Sequence, residues 1–271
     1  SWACAVWRRY KVSDLHQIEL ALRLPEGVKI HSSMGSVFHG MMMDVLGQEI
    51  AQWLHEENSC RPFSQCVYYN RDLNVPVWRL SSLTQSADER IVVPIYQLIG
   101  REVFLKQKKI SVELLEVVQE RKCSYQELMD RIFLEQEHLN GGWLEFISTG
   151  SFKREGQYVI LPELYLIFQS LIQRWNSCCA KAAIMSEDLE HQLAEHCHIS
   201  RYNLRSQKYS VNGSNIYGFC GNMDLRFSGN DMVRRLMELL LCYAGFAGIG
   251  VKTALGMGAV EYVERNPRRC P

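Results

Sequence analysis

Near its end the sequence carries a glycine-punctuated run, GFAGIGVKTALGMGAVE (Gly245 to Glu261), in which Gly248, Gly250, Gly256 and Gly258 surround Lys252 and Thr253. Glycines let a backbone approach a phosphate closely, and a cation with a hydroxyl beside them completes an anion-binding loop. A nucleoside-triphosphatase loop reads GxxxxGK[ST] and joins a strand to a helix. Gly245 and Gly250 have that gap, but Val251 intervenes before Lys252 and Thr253. The apolar helical pattern MVRRLMELLLCYA also precedes the loop, and the alternating ALGMGAVEYVE follows it as a strand. That order argues against a triphosphatase. Two readings remain, a phosphate-binding loop or glycines that serve only close helix–sheet packing. A second group, Cys178, Cys179, His196, Cys197 and His198, offers thiols and imidazoles but no CxxC or HxxxH pair. No metal site is expected there, and no cofactor.

The elements that must position these groups follow from periodicity. Ile18 to Leu24 reads as a strand, and Val37 to His55 as a helix through Val37, Met41, Met42, Val45, Leu46, Ile50, Trp53 and Leu54. Phe63 to Tyr69 and Val75 to Leu83 read as strands, Ala87 to Gly100 as a helix despite Pro94, and Val103 to Gln119 as strand. The second half repeats the order. Strands over Trp143 to Leu161 turn at KREGQ, a helix follows over Glu163 to Ala180, strands over His198 to Tyr209 and Ile216 to Phe227, a helix over Asp231 to Ala244, and a closing strand over Leu255 to Val263. The expected fold is therefore α+β, two tandem ferredoxin-like (RRM-like) βαββαβ domains over 1–123 and 141–271, joined by a charged helical linker over 124–140. Two exposed four-stranded sheets of this kind are a frequent platform for RNA, though the topology serves other tasks too.

Whole-chain numbers bound the class. At 271 residues, 47% hydrophobic and 22% charged, the chain is an ordinary globular protein. A formal net charge of zero gives no overall basic character, yet local clusters can still neutralise phosphates. They are Lys106, Lys108 and Lys109; Arg121 and Lys122; Lys153 and Arg154; and Arg265, Arg268 and Arg269. Ten cysteines without a regular framework, and no signal-peptide pattern over Trp2 to Tyr10, suggest a cytoplasmic chain with reduced thiols. The apolar stretch near 232–244 is interrupted by Arg234, Arg235 and Glu238, so no membrane span is expected.

Three stretches together resemble the CRISPR repeat-processing endoribonucleases of the Cas-six family, in the RAMP superfamily. GIGVKTALGMGAVE resembles that family's carboxy-terminal glycine-rich signature. FHGMMMDVLGQEIAQWLHEENSCRPFSQ resembles its first helix and the following basic-x-Phe strand entry. FKREGQYVILPELYLIFQSLIQRW resembles the start of the second domain, especially in the form found with type III systems. The similarity runs from about residue 14 to 264.

The resemblance implies metal-independent cleavage of precursor transcripts within each repeat, leaving a 2′,3′-cyclic phosphate and a 5′-hydroxyl. It implies a catalytic role for His55, in QWLHEEN, with acid and base roles both open. Arg61 stands where family members often place a lysine, and its guanidinium suits phosphorane stabilisation rather than proton transfer. His39 is the second candidate histidine. On one continuous helix it would lie about 24 Å from His55 on a nearly opposite face, so both reach one phosphate only if the segment breaks, at Gly47 for instance. For RNA positioning the resemblance implies Lys153, Arg154 and the loop residues Gly248, Gly250, Lys252, Thr253, Gly256 and Gly258. Repeat RNA is the implied partner. A homodimer and a transient association with a type III effector complex stay open, as does a catalytically silent scaffold subunit that binds RNA without cutting it.

Overall fold

The computed structural model describes residues 12–56, 60–135, 139–179 and 181–265. Its first half runs β1 (Leu15–Arg23), α1 (Gly35–Leu46), α2 (Gln48–Glu56), β2 (Phe63–Asn70), β3 (Val75–Ser82), a broken helical segment α3 (85–96), β4 (Glu102–Leu105) and β5 (Ile110–Cys123). These strands form an antiparallel sheet in the order β2-β3-β1-β5-β4. Without the edge strand β4 this is the sheet of a βαββαβ unit. The continuous strand expected over Val103 to Gln119 is a hairpin instead. It turns at Lys106 to Lys109, where Lys109 takes a left-handed φ of 54°.

The long helix expected from Val37 to His55 is two helices. Gly47, at φ 83° and ψ 177°, ends α1 and lets the chain restart as α2 in a new direction. Both halves keep their apolar stripe on the sheet. Phe38, Met42 and Leu54 pack with Ile18, Leu20, Trp78, Leu80 and Ile91 in one core.

The second half runs α4 (125–135), β6 (Gly142–Gly150), β7 (Phe152–Arg154), β8 (Gln157–Val159), α5 (Leu164–Cys178), α6 (Leu189–His196), β9 (Cys197–Val211), β10 (Ser214–Phe227), α7 (Asp231–Ala247) and β11 (Val260–Glu264). Its four-stranded sheet has the order β11-β6-β10-β9, with β7 and β8 as a separate two-stranded ribbon. The connecting segment does more than connect. A Ser124–Glu127 capping box starts α4, and Tyr125, Leu128 and Ile132 enter the second core beside Trp175 and Tyr243. The Tyr125 hydroxyl donates to the Leu83 carbonyl of the first half at 2.9 Å, tying the two halves together.

The first sheet keeps no open face. On the side away from its helices it presents Gln17, Glu19, Ser64, Arg79 and Ser81, all buried. Gln17 donates to the Gly245 carbonyl (2.7 Å) and Ser64 to the Phe246 carbonyl. Arg79 pairs with Glu19 at 2.6 Å and with Glu261 of β11. The end of α7 and the start of β11 thus cover the surface that sequence alone suggested as a first RNA platform.

Candidate nucleic-acid interface and active site

The site begins where the glycine run reaches α1. Gly35 opens that helix, and a Cβ there would sit 2.7 Å from the Tyr209 hydroxyl and 2.9 Å from the Gly256 Cα. The absence of side chains is what lets helix and loop touch. Two polar side chains hold the joint. Gln65 on β2 donates to the Gly35 carbonyl (2.7 Å) and the Ala254 carbonyl (3.1 Å), while its own carbonyl accepts from the Trp78 indole (3.1 Å). The fully buried Tyr209 donates to the Leu255 carbonyl at 2.7 Å.

His39 lies one turn beyond Gly35 and so shares its helix face. Its ring stacks on Phe63, at 6.2 Å between centroids and 10° between planes. Burial, and then the Arg61 guanidinium nearby, push the His39 imidazole down to about 4. Both causes act the same way, because each penalises the imidazolium. His39 is therefore neutral near pH 7, with a ring nitrogen able to accept a proton beside a permanent cation. His55 sits elsewhere, exposed in the last turn of α2. Among the described residues it makes no hydrogen bond or ion pair. The break at Gly47 occurs, but what the structure brings together is His39 and Arg61.

The glycine run divides into a packed part and an exposed part. A Cβ at Gly248 would press on Thr253, at Gly250 on the Ser151 carbonyl, at Gly256 on Tyr209 and at Gly258 on the Ile249 carbonyl. Many of its backbone N–H groups are already used: Ile249 donates to Gly258, Val251 to Ser151 and Gly258 to Thr149. Lys252 is exposed at a left-handed φ of 55°, whereas Thr253 is buried and its hydroxyl finds no partner among the described residues. In the β7–β8 ribbon Lys153 and Arg154 are both exposed, but Arg154 is paired with Glu163 at 2.6 Å. Lys153 and Lys252 are thus the cations left open at this end.

A polar cleft of about 1040 Å³ opens between the two sheets, and sequence reasoning did not find it. Arg71 beyond β2 faces it from one side, and Asn203, Arg205 and Asn222 from the second sheet. A signal was present in β9, where Arg201, Asn203, Arg205 and Gln207 alternate along one strand face.

The cysteine–histidine group does not assemble among the described residues. His196 and His198 both bond the Ser228 hydroxyl, at 3.3 and 3.2 Å, while Cys178 and Cys179 pack into the core of the second half. The potential metal ligands that do converge there are Glu238, Cys242 and Glu264. Burial, and then the Glu264 carboxylate, raise the Glu238 carboxyl to about 8, and it accepts a 2.8 Å bond from Tyr262. No helix among the described residues is long and apolar enough to cross a membrane.

Comparison with known proteins converges on one family. Residues 144–260 match the family model of the CRISPR-associated endoribonuclease Cas6. A protein of that name from Streptococcus thermophilus is 28% identical over 229 residues, 84% of this chain and 90% of its own. One from Mycobacterium tuberculosis is 26% identical over 241 residues, 88% of this chain and 74% of its own. Among solved structures, a Cas6 product complex superposes with a TM-score of 0.73 at 22% identity, covering 92% of this chain and 99% of that one. Thermus thermophilus Cas6 gives 0.67 at 19% identity, covering 94% and 100%. With the doubled βαββαβ fold and the glycine-run joint, these matches make the chain similar, over most of its length, to the Cas6 family of CRISPR-associated endoribonucleases.

Proposed function

We propose that the protein cuts CRISPR precursor RNA within its repeats by metal-independent attack of a ribose 2′-hydroxyl, leaving a 2′,3′-cyclic phosphate and a 5′-hydroxyl. The observation that carries this is a neutral, half-buried His39 beside Arg61, stapled to the glycine run. His39 takes the 2′-hydroxyl proton as the oxygen attacks the adjacent phosphorus. Arg61 balances the charge that gathers on the phosphorane, and Lys252 and Lys153 hold the flanking backbone. The P–O5′ bond then breaks, and the leaving oxygen takes a proton. His55 is our candidate donor, since the chain leads directly from it to Arg61. Solved Cas6 product and substrate-mimic complexes support the fit of the fold to this task.

His39→Ala should lower cleavage of a labelled repeat by about 10²-fold or more while leaving binding near the parent value. His55→Ala, measured beside it, assigns the second role. A 2′-deoxy substitution at the cut site should abolish cleavage, and EDTA should not change it. Normal cleavage by His39→Ala removes that residue from the mechanism. RNA bound but left intact by the unaltered protein would instead point to a silent scaffold.

A further inference from the structure

The cleft-facing side of the second sheet carries a row that the cleavage chemistry does not use. Val263, Trp143, Asp224 and Arg201 lie side by side across all four strands, paired in register. Strand alternation puts Trp143 on the face opposite the buried Leu144 and Phe146. The indole is 39% exposed and Val263 beside it 50%. A shallow cavity of about 280 Å³ surrounds them, bordered by Arg201, Asp224 and Arg265.

The charges here are not equivalent. Asp224 is committed, accepting from the Ser200 hydroxyl at 2.8 Å and pairing with Arg265. Glu264 also borders the cavity, but its carboxylate lies with Glu238 and Cys242. Arg201 is exposed and has no ion pair among the described residues. A partly exposed indole on β6 and a guanidinium on β9 without an ion pair among the described residues lie two strands apart across β10, about 10 Å, and are the two partners that a nucleotide uses, one for its base and one for its phosphate. The row is also continuous with the cleft. One two-residue step along the strands, about 7 Å, brings Glu145, Asn222 and Asn203, and Arg205 follows.

We propose that Trp143 and Arg201 form a nucleotide subsite for single-stranded RNA at the outer end of the cleft, with a base stacked on the indole and a phosphate on the guanidinium. It rests on the RNA-processing function proposed above. Stacking accepts any base, so the subsite adds affinity for the strand rather than choosing a sequence.

Fluorescence anisotropy with a labelled oligouridylate of about a dozen nucleotides tests this. Trp143→Ala should weaken binding about 10-fold, and Trp143→Phe should restore it to within about threefold. Arg201→Ala should weaken binding and lower the slope of log affinity against log salt by about 0.7. Arg201 is on an exposed edge strand, so its variant keeps the test open if Trp143→Ala does not fold. Parent-like affinity in Trp143→Ala, or no rescue by Phe, overturns the subsite and leaves the cleavage proposal standing. If the parent binds neither oligouridylate nor repeat RNA, both fall.

Discussion

A histidine that is to take a proton must arrive with an empty ring nitrogen, and at His39 the fold secures this by burial and by Arg61. Its imidazole, ordinarily near 6.5, is held at about 4, so the charged form is the one that folding disfavours. The stability this confers is present above pH 6.5 and is lost as pH falls through about 4. Bound RNA reverses part of the effect, because a phosphate beside the ring favours the imidazolium. The acid limb of kcat/KM, which reports free enzyme, should therefore lie near pH 4, and that of kcat should lie higher. A pH–rate series checks both limbs; a kcat/KM limb near 6.5 would mean that the titrating base is not His39. This contrast was not legible in the sequence. His39 and His55 look alike as letters. What separates them is Phe63 stacked on one ring and the charge of Arg61 acting on it, neither of which the letters show.

At the scale of elements, the periodic pattern located the strands and helices of both halves because each turns an apolar face to a core. It failed where a short polar stretch hides a turn, as at Lys106 to Lys109 between β4 and β5. It also could not decide what the glycines are for, since their neighbours are remote in sequence: Gly35, Ser151 and Tyr209. In the fold the run grips the β2 edge, with the Gly245 and Phe246 carbonyls on one sheet face and the Ala254 carbonyl on the other. Gly256 stands at a φ of +99° with the Tyr209 hydroxyl 2.5 Å from where a Cβ would be. Gly256→Ala should therefore cost about 2–3 kcal/mol in denaturant unfolding and reduce cleavage by shifting α1. Gly100→Ala, at φ +80° with open space around it, is the control and should cost about 1 kcal/mol. Equal costs would mean that backbone strain alone, and not the joint, explains the glycine.

At the scale of the whole molecule, a charge network joins the halves beside apolar contacts such as Leu15 and Leu83 in the second core. Arg79, 4% exposed, lies between Glu19 and Glu261 and also donates to the Val260 carbonyl at 3.3 Å. Arg121 joins through Gln17 and Glu261. Burial, which outweighs the opposing field of Arg79, lifts the neighbouring Cys66 thiol to about 12, which leaves it inert. Removing the central cation would strand the buried Glu19 carboxylate and leave Glu261, which borders the cleft, to Arg121. Arg79→Met should cost about 3–5 kcal/mol, with both halves unfolding in one transition by far-ultraviolet and tryptophan signals. Two separate transitions would show that the halves are independent.

The late position of the glycine run has a consequence for the protein's own synthesis. His39 and Arg61 leave the ribosome early, but the carbonyls of Ala254 and Leu255 that fix α1 come almost two hundred residues after Arg61. At ~5–20 residues per second the first half waits on the order of ten seconds for them. During that interval Arg79 lacks Glu261, and the helix bearing His39 rests on its packing against the first sheet without the Gln65–Ala254 staple. On the proposed mechanism, a chain shortened before Ala254 would carry His39 and Arg61 without the Gln65–Ala254 staple, and should bind RNA without cutting it.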